Sequence, residues 1–195
     1  MVARTPPHPP AARLGREQWE GAALDAIEEG GLAAVAVEPL ARRLGVTKGS
    51  FYWHFASRDE LLAAALLRWE RIHTTERLAA LGAVSDPAQR LRSLFEQALT
   101  LRPSIIVQLL AAGDDPVVAP TMQRAAAARI GFLAAAYREL GLPRARAQRQ
   151  ALLAYSAYLG LAHIQRDTPE HFGTPRAVTA YLRHVCDALI PGQRA

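Results

Sequence analysis

The chain has 195 residues, half of them hydrophobic and about a fifth charged, and its 23 bases against 18 acids give a formal net charge of +5. This excludes a disordered polyelectrolyte, and the length admits a small module joined to a larger one, each with a core. A single cysteine, Cys186, excludes an internal disulfide and a cysteine zinc site, so a reducing, cytoplasmic setting is expected.

Residues 1–14 form a proline-rich arm without periodicity, expected to be disordered until something binds it. Beyond it, apolar residues recur at spacings of three and four, and Ala, Leu, Arg and Glu dominate, which predicts an all-α chain of about nine helices. A first helix spans about Arg16 to Glu29, stopped by Gly30-Gly31. A second starts near Glu38, with Pro39 in its first turn, and stops at Gly45; a third runs from Thr47 to about His54. Ser57-Arg58-Asp59-Glu60 has the capping-box form and opens a long fourth helix, unbroken to about Ala80. Asp86-Pro87, Arg102-Pro103 and Asp115-Pro116 read as further starts and Gly141-Leu142-Pro143 as a stop. Two last helices cover about Arg144 to Arg166 and Pro175 to Ile190, the latter opened by Thr174.

The N-terminus lacks the apolar stretch of a signal peptide, and no run reaches the ~18 apolar residues of a membrane helix, so no membrane partner is expected. Ala151 to Ile164 is the most apolar long stretch, and two tyrosines, a serine, a glycine and a histidine interrupt it.

Residues 1–60 hold seven bases and eight acids, so the positive excess lies in 61–195. Overall basicity therefore says nothing about nucleic acid; only the local placing of charge can. From Val37 the chain reads VEPLARRLGVTKGSFYWHFASRDELL, with the spacing of a helix-turn-helix. Leu40, Ala41 and Leu44 share one face, and Ala41 is small enough for a second helix to cross. Gly45 offers the positive φ of a tight turn, Val46 plugs the corner, and Phe51 and Phe55 aim the next helix inward.

That orientation leaves Thr47, Lys48, Ser50, Tyr52 and His54 outward, with Gly49 among them. Lys48, the sole lysine, stands at a helix start, where backbone donors and the helix dipole favour phosphate and the ammonium can reach guanine O6 and N7. The hydroxyls and the His54 ring suit backbone contacts that set register. Arg58, a cation that the dipole disfavours at the start of the fourth helix, is a further phosphate candidate. Arg42 and Arg43 fit phosphate contact or a solvated helix face, and Trp53 borders the reading face or packs on the fourth helix.

The run Leu40-Ala41, Leu44-Gly45-Val46, Gly49, Phe51-Tyr52, His54-Phe55, Arg58 and Leu61, preceded by Ala22-Ala23-Leu24 and Gly30, resembles the tetracycline-repressor (TetR) family of transcriptional regulators. The resemblance covers about the first 65 residues by motif and the rest by helix count and length. It implies a helix-turn-helix DNA-binding domain at 15–60 and an effector-binding and dimerisation domain at 61–195. The implied protein is a homodimer on a palindromic double-stranded DNA operator, a repressor by family default, released by a small apolar or aromatic effector. One departure is Val37, where the family often has Thr or Ser to cap the second helix, so one phosphate contact is expected to be missing.

In the body, Trp69, Phe95, Met122, Arg129, Tyr137 and Tyr155 are candidate pocket residues. The resemblance places the dimer interface on the last two long helices, where Tyr158, Leu159, Ala162, Val178, Tyr181, Leu182, Val185 and Leu189 are candidates. No nucleophile motif, phosphate loop or paired-carboxylate motif is found, and His73, His163, His171 and His184 lack ligand spacing. No catalytic residue, metal or cofactor is expected. A rival reading, a helical ligand-binding or interaction protein that no longer reads DNA, is kept open by Val37 and by the charge balance of residues 1–60.

Overall fold

The computed structural model describes residues 14–100, 104–172 and 174–192. All but the last residue of the expected arm, and the Arg102-Pro103 start, lie outside them. The elements are α1 (Arg16–Gly30), a 3-10 turn (Leu32–Ala34), α2 (Val37–Arg43), α3 (Lys48–Tyr52), α4 (Arg58–Glu70), a π-helical turn (Arg71–Glu76) and α5 (Arg77–Gly82). They continue with α6 (Pro87–Thr100), α7 (Ser104–Ala111), α8 (Ala119–Glu139), α9 (Arg144–Asp167), a 3-10 turn (Pro169–Phe172) and α10 (Pro175–Leu189). With α4, the π turn and α5 taken as one rod, the described residues form nine helices and no strand.

Local chemistry sets most boundaries. The Ser57 hydroxyl accepts from Glu60 N–H at 3.1 Å, while the Glu60 carboxylate accepts from Ala56 N–H at 2.8 Å, one residue ahead of the cap. The Thr174 hydroxyl caps α10 by accepting from Ala177 N–H at 3.2 Å. Gly45, at φ 69°, turns the chain from α2 towards α3 in a conformation that a side chain would strain. Helix α2 starts at Val37 itself, and Ala36 holds the cap position without a side-chain bond. The absent cap therefore sits one residue before the position the sequence suggested.

Two expectations change. Asp115 does not start a helix; its carboxylate accepts from Val117 N–H at 2.8 Å and Val118 N–H at 3.3 Å, and this side-chain turn delays α8 to Ala119. The fourth helix is not unbroken α-helix, because the π turn at Arg71–Glu76 widens its coil, and such turns concentrate at functional sites.

Two apolar cores carry the chain. One joins α1, α2, α3, α4 and α7 around Trp19, Ile27, Leu40, Phe51, Phe55, Leu62 and Leu66. The other joins α6, α8, α9 and α10 around Leu91, Leu133, Tyr137, Ala151 and Cys186. Tyr158 and Leu159 of α9 pack against both, which couples module to body. No described helix is long and apolar enough to cross a membrane.

Candidate nucleic-acid interface and interior cavity

The inner face of α3 is fixed by aromatic packing. Phe51 is fully buried, meets Trp19 of α1 edge-on at 5.4 Å between centroids and stacks on Phe55 at 5.7 Å. The other face is thereby forced outward. Thr47, Lys48 and Gly49 are exposed, Ser50 and His54 half-buried, and Tyr52 is 57% exposed. Trp53, at 88% exposure, does not pack on α4 and extends this surface. The turn thus leaves two neighbouring aromatic side chains in water, beside an ammonium and hydroxyls.

The cations around α3 differ in how they are held. Lys48 Nζ lies 2.8 Å from Glu38 Oε1, both groups more than half exposed; the carboxylate holds the ammonium above its ordinary range and is itself held below the usual carboxylate range. Arg43 bonds Glu29 at 2.8 Å and approaches Asp25 at 3.5 Å, tying α2 to α1, while Arg42 is exposed. Arg58 turns inward. Its Nη2 donates to the Leu32 carbonyl at 2.7 Å, its Nε to the Val35 carbonyl at 2.8 Å, and its Nη1 to Asp59 at 3.0 Å. The phosphate contact expected of Arg58 meets a guanidinium whose donors are engaged inside the module, and these carbonyl bonds explain a cation at a helix start.

Below the module, the π turn, α5, α6, α8 and α9 surround a narrow cavity of about 60 Å³. His73, Arg77, Leu78, Leu94, Phe95, Ala98, Arg129, Leu133, Ala154, Tyr155 and Tyr158 line it. Arg129 donates from Nη2 to the Thr74 hydroxyl at 2.9 Å and to the His73 carbonyl at 3.3 Å, and its guanidinium lies 5.2 Å from the Trp69 ring centroid. Burial, with Arg77 and Arg129 nearby, holds His73 below the ordinary histidine range.

Of the six candidate pocket residues, Phe95, Arg129 and Tyr155 line the cavity, and Trp69 lies behind Arg129. Met122 packs on the α1–α4 core instead. Tyr137 is fully buried among α8, α9 and α10, where burial pushes its phenol up. His73 and Arg77 were missed, although a signal was there: they continue the buried Leu62, Leu66, Trp69 stripe with polar residues.

The candidate interface residues face mainly their own chain. Tyr158 lines the cavity, Ala162 is buried, Leu159 is half-buried, and Leu182, Val185 and Leu189 pack into the second core, with Val178 and Tyr181 half-buried. The apolar stripe of α10 is thus answered by α6 and α9. The outer face of α9 is what stays uncovered, with Leu152 46%, Leu153 55% and Ile164 43% exposed.

A family model described as bacterial regulatory proteins, tetR family, matches residues 21–65. An uncharacterised HTH-type transcriptional regulator of Pseudomonas putida, TtgW, is 36% identical over 55 residues; the match spans 28% of this chain and 41% of that one. A transcriptional regulator from Rhodococcus sp. Rha1 has a similar structure, with a TM-score of 0.76, 24% identity, and coverage of 92% of this chain and 97% of that one. A Saccharomonospora viridis protein in complex with choline is similar too, with a TM-score of 0.75, 20% identity, and coverage of 91% and 96%. At such identities the solved structures speak for the fold, and the residues of the module speak for the family. Residues 21–65 thus match the tetR family's model, and the fold that continues from them is similar to that of solved transcriptional regulators.

Proposed function

We propose that the protein is a cytoplasmic, sequence-specific DNA-binding transcriptional regulator, a homodimer that represses from a palindromic operator and leaves it when a small apolar or aromatic effector enters the body. The observation that carries this reading is the outer surface of α3, where Thr47, Lys48, Gly49, Ser50, Tyr52 and Trp53 stand exposed or half-exposed on a helix locked from behind by Phe51. Lys48 and the helix start read the major groove, while Tyr52, His54 and the hydroxyls meet phosphate. Arg42 adds a phosphate contact, and Arg43 and Arg58 hold the module in shape. The choline bound to the Saccharomonospora viridis protein supports a fold that admits small molecules.

The coupling follows from one rod. Arg58 grips the Leu32 and Val35 carbonyls at its upper end, and Arg77 lines the cavity at its lower end, about 28 Å away at ~1.5 Å per residue. The cavity is far narrower than the roughly 300–1,000 Å³ of pockets that enclose drug-sized ligands, so an effector must part its walls. The π turn lies in that wall and is the place where the rod can change its winding. Two copies on one duplex place their α3 helices about 34–36 Å apart. A shift of the rods changes that spacing, so effector and operator antagonise each other reciprocally.

Selection from a random pool of DNA duplexes tests the reading. The expected outcome is an inverted repeat with half-sites about one helical turn apart, and no enrichment would refute it. The rival, a module that no longer reads DNA, is favoured by the Glu38 carboxylate on Lys48, and an unenriched pool is its signature.

A further inference from the structure

The lining of the cavity has a charge imbalance. Arg77 and Arg129 both reach it, and among the described residues that line it there is no carboxylate. Arg129 is held by neutral groups: the His73 carbonyl, the Thr74 hydroxyl and the faces of Trp69 and Tyr158. Its Nη1 is buried without a hydrogen-bond partner among the described residues. Burial, with Arg129 close by, pulls Arg77 below the ordinary arginine range, and the two guanidiniums share Tyr158 as a neighbour. Sheltered arginines elsewhere are answered by acids: Arg90 has Glu139 at 3.0 Å, and Arg68 has Glu17 at 3.5 Å.

A guanidinium cannot shed its proton, so holding two of them half-buried at one cavity, with no carboxylate in its lining, costs free energy that folding must offset. Opposite this cationic end the walls turn apolar. Phe95, Ala98, Ala154 and Tyr158 are shared with a second small cleft that runs on to Leu161 and Val185 towards α10. One end thus offers donors, and the other offers hydrocarbon.

We propose that the cavity binds an amphipathic anion, with an acidic head of the carboxylate type on Arg77 and Arg129 and an aliphatic or aromatic body lying along Phe95 and Tyr155 towards α10. The inference rests on the reading of the body as an effector domain and names the chemical class of the effector. An Arg–carboxylate pair is directional and, shielded from water, strong, so the head selects as well as binds. Cations of the same size are repelled by the same two groups.

The test uses the full chain and three probes of one tail length, octanoate, octanol and octyltrimethylammonium, titrated by calorimetry at neutral pH. Octanoate is expected to bind at least about tenfold more tightly than octanol, with octyltrimethylammonium the weakest. Arg129→Gln and Arg77→Gln should each remove most of that preference while octanol binding stays within about twofold. Equal or better binding of octanol or the ammonium probe, no binding of octanoate, or an octanoate preference intact in both variants overturns the proposal. Should Arg129→Gln fail to fold, Arg77→Gln and the three probes on the unaltered chain still decide it. Release of operator DNA is read separately by fluorescence anisotropy. Octanoate that binds without releasing DNA contradicts the regulatory reading and leaves the anion site standing; release by octanol as effective as by octanoate does the reverse.

Discussion

Arg58 Nη2 donates to the Leu32 carbonyl at 2.7 Å, so the first residue of α4 holds the loop between α1 and α2. Together with the bond from Nε to Val35 at 2.8 Å, this makes Arg58 a clamp between the rod and the helix-turn-helix module. Arg58→Met deletes both bonds and strands two carbonyls. Urea denaturation should show a loss of about 1–3 kcal/mol. A variant of unchanged stability whose DNA affinity alone falls, with a shallower salt dependence, would mean that Arg58 serves phosphate instead.

Lys48 and Glu38 form an exposed pair at 2.8 Å, and DNA must break it for Lys48 to reach a base or phosphate. Exposed pairs hold weakly, so on the proposed function Glu38 would compete only mildly with DNA for Lys48. Lys48→Ala should weaken operator binding roughly 10- to 100-fold, the range expected for one groove contact, and a role on phosphate would lower the salt slope by about one. Glu38→Gln should move affinity the other way by several-fold. Tighter binding after Lys48→Ala would overturn the assignment.

Gly49 needs no glycine for the sake of the fold. Its φ is not positive, and a Cβ there would meet only the Thr47 hydroxyl, at an ordinary 3.6 Å. Alanine should therefore keep or raise the melting temperature, since it suits a helix better by about 0.8–1 kcal/mol. On the proposed function, the reason for glycine would lie outside the chain, in close approach of the helix start to a DNA backbone. Gly49→Ala should cost about tenfold or more in operator affinity; full affinity would show that DNA does not come that close.

The uncovered face of α9 makes the dimer prediction. Leu153 and Ile164 are about three turns apart on one side, with Gly160 between them leaving open space for a partner helix. Leu153→Glu with Ile164→Glu should give a monomer in light scattering and a large loss of operator binding, because a palindrome rewards two linked modules. A double variant that stays dimeric would move the interface elsewhere.

The module was legible because its information is local. Gly45, Ser57 and the Phe51, Phe55 pair act on neighbours within a few residues, and the structure places each accordingly. The cavity was not, because it forms where α5, α6, α8 and α9 converge, and no spacing in one segment says which aromatic faces it. Tyr137 and Tyr155 look alike in sequence, yet one is sealed in the second core and the other faces the cavity. The α10 stripe is real, but periodicity does not tell a partner within the chain from one in a second copy. The same limit hid the inward bonds of Arg58 to Leu32 and Val35, which span 26 and 23 residues. Whether a helix start is free for phosphate depends on what the loop across from it presents.

On the proposed function, the outer surface of α3 reads DNA. Anisotropy titrations of the full chain against the duplex beside its own gene, with an unrelated duplex as control, compare the unaltered protein with a Lys48→Ala, Tyr52→Ala double variant. Both side chains are exposed, so folding should be untouched. Sequence-specific binding by the unaltered protein, and its loss in the variant at equal melting temperature, is the expected outcome. Binding by the double variant as tight as that of the unaltered protein would contradict it.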